Sequence, residues 1–373
     1  MNANTVLLTL VSEGHIRAEL RGQLGLITLN RPQALNALSL PMIRDLTALL
    51  LHWRHDETVA AVLVRGAGRE GKAPAFCAGG DIRFFHQAAL AGDPRIEDFF
   101  SEEYALNHLI HCYPKPCIAL MDGICMGGGM GISQGAALRV VTEHSKLAMP
   151  ETHIGLFPDV GGGWFLSRLA GSMGEYLALT GAVLNAAEAI AVGLADVQIA
   201  SAQLPMLVEV LADQPIESAA AALAAVKAHA VASTAPKLMA HVAAIDRHFA
   251  APTLAAIIES LRADTSDFAQ QTLVTLQQRS PLMMAVTLEL VRRARDLTLA
   301  EDLRLERDLV RHCFALRPVA RSETIEGIRA LAVDKDHAPR WNPARVEDID
   351  AAELAAFFAS PWPAHAHPLR ELN

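Results

Sequence analysis

Between Ile118 and Leu169 an apolar run leads into three consecutive glycines, then into two acids that each follow a proline. This stretch constrains the chain more than any other. Ile118 to Met121 reads as a buried strand. Gly127, Gly128 and Gly129 follow, and Met130-Gly131-Ile132-Ser133 reads as a helix start. A strand, a glycine turn and a helix N-terminus in succession leave backbone N–H groups pointing outward, where the helix dipole favours negative charge. Downstream, Pro150-Glu151 and Pro158-Asp159 set two carboxylates eight residues apart in apolar or small surroundings. Carboxylates in such company have raised pKa values and acid–base roles. N–H donors beside two acids point to acyl chemistry.

The rest of the chain fits an α/β core followed by helices. His15 to Leu20 and Leu24 to Asn30 read as a hairpin, and Ser39 as the cap of a helix with Pro41 in its first turn. Ala60 to Val64 reads as a buried strand, and residues 66–80 as a glycine-rich loop ending in Phe76-Cys77-Ala78-Gly79-Gly80. Asp81 is placed to cap the next helix. Residues 97–112 have helical spacing. Alternating strands and helices up to about residue 170 predict a partly parallel sheet. Beyond about residue 202, alanine and leucine dominate and strand signals fade, predicting helices near 218–230, 236–248, 254–263, 267–279, 282–297, 300–313 and 322–332. The division read here is a core over 12–202 and a helical region over 203–373 that covers or flanks it.

Bulk properties narrow the function. A net charge of −9 argues against a general nucleic-acid binder, though not against a local basic pocket for a phosphorylated small molecule. The five cysteines (77, 112, 117, 125 and 313) form no C-x-x-C pair, so neither a disulfide framework nor a zinc site is indicated. Residues 1–12 lack the pattern of a signal or transit peptide, and no apolar run approaches a membrane span. The expectation is a cytoplasmic enzyme of a small molecule, with no metal, membrane or nucleic-acid partner.

Three motif matches fail on context. Gly131-Ile132-Ser133-Gln134-Gly135 fits G-x-S-x-G, but the turn is already made by the glycines before it, which puts Ser133 inside the helix. Residues 66–73 nearly match a phosphate-binding loop, yet end in Ala73 and Pro74 rather than a hydroxyl and a helix. His52/His55 and His108/His111 have helical spacing but no third metal ligand in view. Each glycine loop alone reads as an ordinary turn; two of them, around Gly80 and Gly128, can aim two N–H groups at one oxygen.

FCAGGDIR, YPKPCIALMDGICMGGGMGIS and AMPETHIGLFPDVGGGWFLSRL together resemble the crotonase (enoyl-CoA hydratase/isomerase) superfamily, and within it the 3-hydroxyisobutyryl-CoA hydrolase branch. The likeness runs from Ile27-Thr28-Leu29-Asn30-Arg31-Pro32 to EGIRALAVDKDHAPRWNP; SEEYALN at 101–107 also fits that branch. It implies a ββα superhelix core and hydrolysis of a short 3-hydroxyacyl-CoA thioester in valine breakdown, with coenzyme A as part of the substrate and no separate cofactor. It implies an oxyanion hole from the Gly80 and Gly128 N–H groups, Glu151 and Asp159 as catalytic acids, and Glu103 as a substrate contact. It also places Ala78, Asp81 and Ile82 on the loop along the CoA groove. It leaves a homo-oligomer open. True hydratases carry a second catalytic glutamate where this chain has Gly131, and commonly a glycine where it has Asp159. An enoyl-CoA hydratase or isomerase is therefore the alternative, and Gly131→Glu is expected to confer weak hydration.

Overall fold

The structure is a computed structural model that describes residues 9–69 and 71–373. The leader reading of residues 1–12 thus falls largely outside the described residues, as does one position of the 66–80 loop. Among the described residues, nine strands form two sheets. The larger is built from β1 (Ile16–Arg21), β2 (Leu24–Leu29), β3 (Ala61–Gly66), β5 (Cys117–Met121), β7 (Leu138–Val141) and β9 (Val197–Gln198), in that spatial order. Only the β1–β2 hairpin is antiparallel. The smaller is parallel throughout: β4 (Ala75–Cys77), β6 (Ile124–Met126) and β8 (Lys146–Ala148). From β3 onward the strands alternate between the sheets along the chain, so each turn delivers one strand to each sheet.

The large sheet is buried on both faces, which explains its nearly continuous apolar strands. Because side chains alternate along a strand, Leu26, Leu63, Ile118 and Leu138 lie in register on one face. Ile27, Val64, Ala119 and Val141 enter the main core on the other. Each such Leu, Ile or Val buried from water contributes about 1.5–3 kcal/mol. The outer face is covered by the helices Leu204–Asp213 and Ala219–Lys227, through Leu207, Val208, Leu211 and Val226.

The helices up to residue 192 are α1 (Leu40–Arg54), α2 (Ile82–Ala91), α3 (Arg95–His111), α4 (Gly128–Gln134), α5 (Gly162–Ser167), α6 (Met173–Thr180) and α7 (Ala186–Val192). Beyond the last strand come α8 (Leu204–Asp213), α9 (Ala219–Lys227), α10 (Val242–Phe249), α11 (Leu254–Ala263), α12 (Asp267–Gln277) and α13 (Pro281–Arg293). They are followed by α14 (Leu299–Ala315), α15 (Glu323–Ile328) and α16 (Ala351–Phe357). Helix α13 is buried along ten of its positions and packs on α5 and α6, so the C-terminal helices share the main core. No described helix is long and apolar enough to cross a membrane.

Two readings need correction. Ser39 does precede α1, but its side chain makes no capping bond. The strand that leads into the glycines is β6, with β5 one step earlier in the other sheet. Strands β4, β6 and β8 are each three residues long, too short to carry an alternating pattern.

Candidate active site

The three short strands run parallel, so their C-terminal ends lie together. From those ends come the 78–80 loop, the 127–128 turn and Pro150-Glu151. A cavity of about 240 Å³ opens there, lined among others by Gly80, Gly128, Glu103, Glu151 and Asp159. Ala78 and Ile82 line it as well, and Phe85, Phe100, Met126, Leu156 and Leu331 give it an apolar wall. Asp81 is not among the lining residues. Its carboxylate accepts from the Phe84 N–H at 3.3 Å, capping α2, and pairs with Arg31 at 2.8 Å.

Glycine is required at both positions of the 127–128 turn, for different reasons. Gly127 has φ of +50°, and a side chain there would place its Cβ 2.7 Å from Glu151 Oε1. Gly128 would bring a Cβ to 2.5 Å from Glu103 Oε1 and 3.4 Å from Gly80 N. The two loops are therefore in contact across the acids. The Ala78 and Asp81 N–H groups are taken by the Leu35 and Leu38 carbonyls, at 3.0 Å each. The Gly80 and Gly128 N–H groups have no acceptor among the described residues.

All three acids are at least 95 % buried. Burial is the main cause that raises each pKa. Glu103 is pushed well up, with the charges of Asp159 and Glu151 adding to the effect. Glu151 is pushed well up too, with Asp159 contributing. Asp159 rises only to about 6, because the buried Tyr104 hydroxyl donates to its Oδ2 at 2.8 Å and stabilises the charged form. Glu103 Oε1 and Glu151 Oε2 are buried with no hydrogen-bond partner. An unpartnered buried acceptor costs about 1–3 kcal/mol, so these atoms are held ready for something that binds.

Val160, next to Asp159, has φ of +59°. A β-branched residue there is a backbone outlier, costing on the order of 1–3 kcal/mol. Its side chain and that of Asn107 fill the space above Gly131: an added Cβ at 131 would meet Val160 Cβ at 2.6 Å and Asn107 Nδ2 at 2.9 Å. The room for an α4 glutamate is thus occupied, and the expectation that Gly131→Glu confers hydration is withdrawn on steric grounds. Ser133 is buried within α4 and donates to the Met130 carbonyl at 3.1 Å, a structural role. No cluster of His, Cys, Asp or Glu fit for a metal occurs among the described residues.

Several residues around the cavity escaped the sequence reading. Tyr104 lies inside the SEEYALN stretch, but the stretch gives no hint that its hydroxyl reaches Asp159. His153 lines the cavity, and Arg279 donates to its Nδ1 at 2.8 Å. An arginine can only donate, so the imidazole proton is on Nε2, and burial together with Arg279 lowers the His153 pKa. Glu306 reaches the 161–163 turn from a distant helix. Only spatial proximity reveals these partners.

A ββα superhelix with two glycine loops over buried acids defines the crotonase class. Residues 24–358 match the family described as Enoyl-CoA hydratase/isomerase, and the chain belongs to it. Among curated relatives, the Xenopus tropicalis protein named 3-hydroxyisobutyryl-CoA hydrolase, mitochondrial, is 41% identical over 355 residues, covering 94% of this chain and 90% of the relative. The Homo sapiens protein of that name is 39% identical, covering 92% and 88%. Among solved structures, a carnitinyl-CoA dehydratase from Mycobacterium thermoresistibile superposes with a TM-score of 0.86 at 36% identity, covering 96% of this chain and 99% of that one. An enoyl-CoA hydratase from Rhodobacter sphaeroides 2.4.1 gives 0.83 at 36% identity, covering 93% and 97%.

Proposed function

We propose that this chain hydrolyses 3-hydroxyisobutyryl-CoA to 3-hydroxyisobutyrate and free CoA, a step of valine breakdown. The observation that carries the reading is the cavity itself. Three buried acids face two free glycine N–H groups, and the place of a second α4 carboxylate is filled by Val160 and Asn107. The thioester carbonyl oxygen rests on the Gly80 and Gly128 N–H groups, which form an oxyanion hole. Glu151, in its ionised form, takes a proton from water as the water oxygen bonds to the carbonyl carbon, or attacks that carbon itself. The C–S bond then breaks and CoA leaves as thiolate, which is neutralised in the first route by the proton Glu151 took from water and in the second by a proton released when water cleaves the anhydride. In the second route water cleaves the resulting anhydride. In a single turnover in ¹⁸O-labelled water, label in Glu151 marks the anhydride route, opened by water at the Glu151 carbon; the first route leaves Glu151 unlabelled. CoA enters with the substrate, and neither route calls for a further cofactor.

The unpartnered oxygens of Glu103 and Glu151 support a substrate that brings a hydroxyl. A site built to bond a hydroxyl rejects the analogue lacking it by up to ~10⁴–10⁵, whereas a methyl group is worth only ~10–200-fold. The expected order in kcat/KM is 3-hydroxyisobutyryl-CoA, then 3-hydroxypropionyl-CoA, with isobutyryl-CoA far behind. Equal values for the first and last would make the enzyme a general short-chain thioesterase. Similarity to a carnitinyl-CoA dehydratase and an enoyl-CoA hydratase favours hydration as a second reading; the crowding above Gly131 opposes it.

A further inference from the structure

We propose that Glu306, in helix α14, is a positioning residue: its carboxylate holds the 159–163 turn in the form that presents Asp159 to the cavity. The proposal rests on the role of Asp159 given above. Glu306 is fully buried, and its two oxygens accept from the Gly161 N–H at 2.7 Å and the Gly163 N–H at 2.9 Å. One helical turn earlier, Asp302 accepts from the Trp164 N–H at 2.8 Å. The turn is closed within itself by Gly162 N–H on the Asp159 carbonyl, at 2.8 Å. Two donors on one carboxylate thus bracket the turn immediately after Val160.

That residue needs holding. A valine at φ of +59° is in a region that β-branched side chains avoid, so the turn left to itself would relax. Relaxation would swing the Asp159 carboxylate and withdraw the Val160 side chain from above Gly131. Helix α5 has no local cap to resist this: its N-cap is Gly161, with no side-chain bond. The cap comes instead from a carboxylate 145 residues further along the chain. Burial and neighbouring Asp302 push the Glu306 pKa well up, and the two N–H donors work against that rise. A buried carboxylate used only to tie two helices together could be replaced by an apolar contact without such a cost. Here it supplies what an apolar contact cannot, two acceptors for a strained turn. Tyr104 steadies the Asp159 carboxylate from α3, and Glu306 fixes the backbone behind it.

The test is a double-mutant cycle between Glu306→Gln and Val160→Gly, with glycine removing the strain at 160. In the native background, Glu306→Gln should lower kcat by ~10–100-fold and leave KM within about threefold, since the CoA-facing loops are untouched. In the Val160→Gly background the same substitution should cost less than about threefold. Amide exchange at Gly161 and Gly163 should speed up in Glu306→Gln. The exchange arm reads the clamp even in a protein that turns over none of these thioesters, so failure of the proposed function is separable from failure of this proposal. If Glu306→Gln does not fold, Glu306→Asp, too short to reach both N–H groups, carries the same cycle. An equal kcat loss in both backgrounds, or unchanged kcat with freely exchanging amides, overturns it.

Discussion

Two groups of buried acids lie within this fold, and they differ in what they bond to. Glu103, Glu151 and Asp159 face the cavity; between them they accept one side-chain hydrogen bond from the protein, from Tyr104. Glu323, on α15, is equally buried, but the Ser280 hydroxyl and the Asn342 N–H donate to it and Arg317 stands 3.7 Å away. Burial pushes the Glu323 pKa up to about 7, as it raises the cavity acids. A raised proton affinity therefore does not separate working acids from structural ones. Between these two places the donors differ: Glu323 is supplied with them, whereas Glu103 Oε1 and Glu151 Oε2 at the cavity have none.

Substitutions can break this distinction, and the largest effect is expected at Glu151. Glu151→Gln keeps the shape and removes the base or nucleophile, so kcat should fall by at least ~10² without loss of melting temperature. Near-native turnover by this variant would move the chemistry to another residue. Asp159→Asn should cost a comparable factor in kcat and make the protein more stable at pH 7.5. The sign follows from the raised pKa: folded Asp159 titrates near 6 against about 3.9 in an unfolded chain, so its contribution to stability declines as pH rises from about 4 to 6 and stays lost above. Removing the charge should return on the order of 1–3 kcal/mol at pH 7.5 and much less at pH 4. A melting temperature lowered by Asp159→Asn at pH 7.5 would contradict the desolvation argument.

Glu323→Ala should do the opposite. It strands Ser280, Asn342 N–H and Arg317, costing about 2–4 kcal/mol by calorimetry or denaturant unfolding, with kcat/KM within about fivefold. A catalytic loss larger than the stability loss would place Glu323 in the wrong group. The smallest effect is the pH profile. As pH falls through about 6, Asp159 takes up a proton and kcat/KM should drop, approaching tenfold per unit at the limit. A profile flat down to pH 5 would show that its ionised form is not required.

The sequence exposed the parts of this molecule that depend on local pattern. The β1–β2 hairpin, the β3 and β5 strands and helices α1 and α3 follow from periodicity and turn residues. The residues brought to the cavity were named on glycine turns, proline-locked acids and family resemblance. What stayed hidden depends on contacts distant in sequence. Strands β4, β6 and β8 are recognisable only through their partners. Val160 gives no sign in the sequence of its left-handed backbone, and Glu306 is one acid among several on a polar helix. Asp81 caps α2 as its position in the sequence indicates, while its pairing with Arg31, fifty residues earlier, shows only in the structure.

The measurement that bears most directly on the account is release of free CoA thiol from 3-hydroxyisobutyryl-CoA, run beside loss of the enoyl absorbance of crotonyl-CoA with the same preparation. The account predicts steady thiol release that Glu151→Gln abolishes, and no hydration of crotonyl-CoA above background. Robust hydration of crotonyl-CoA with no thiol release would contradict it and make the chain a hydratase despite Gly131.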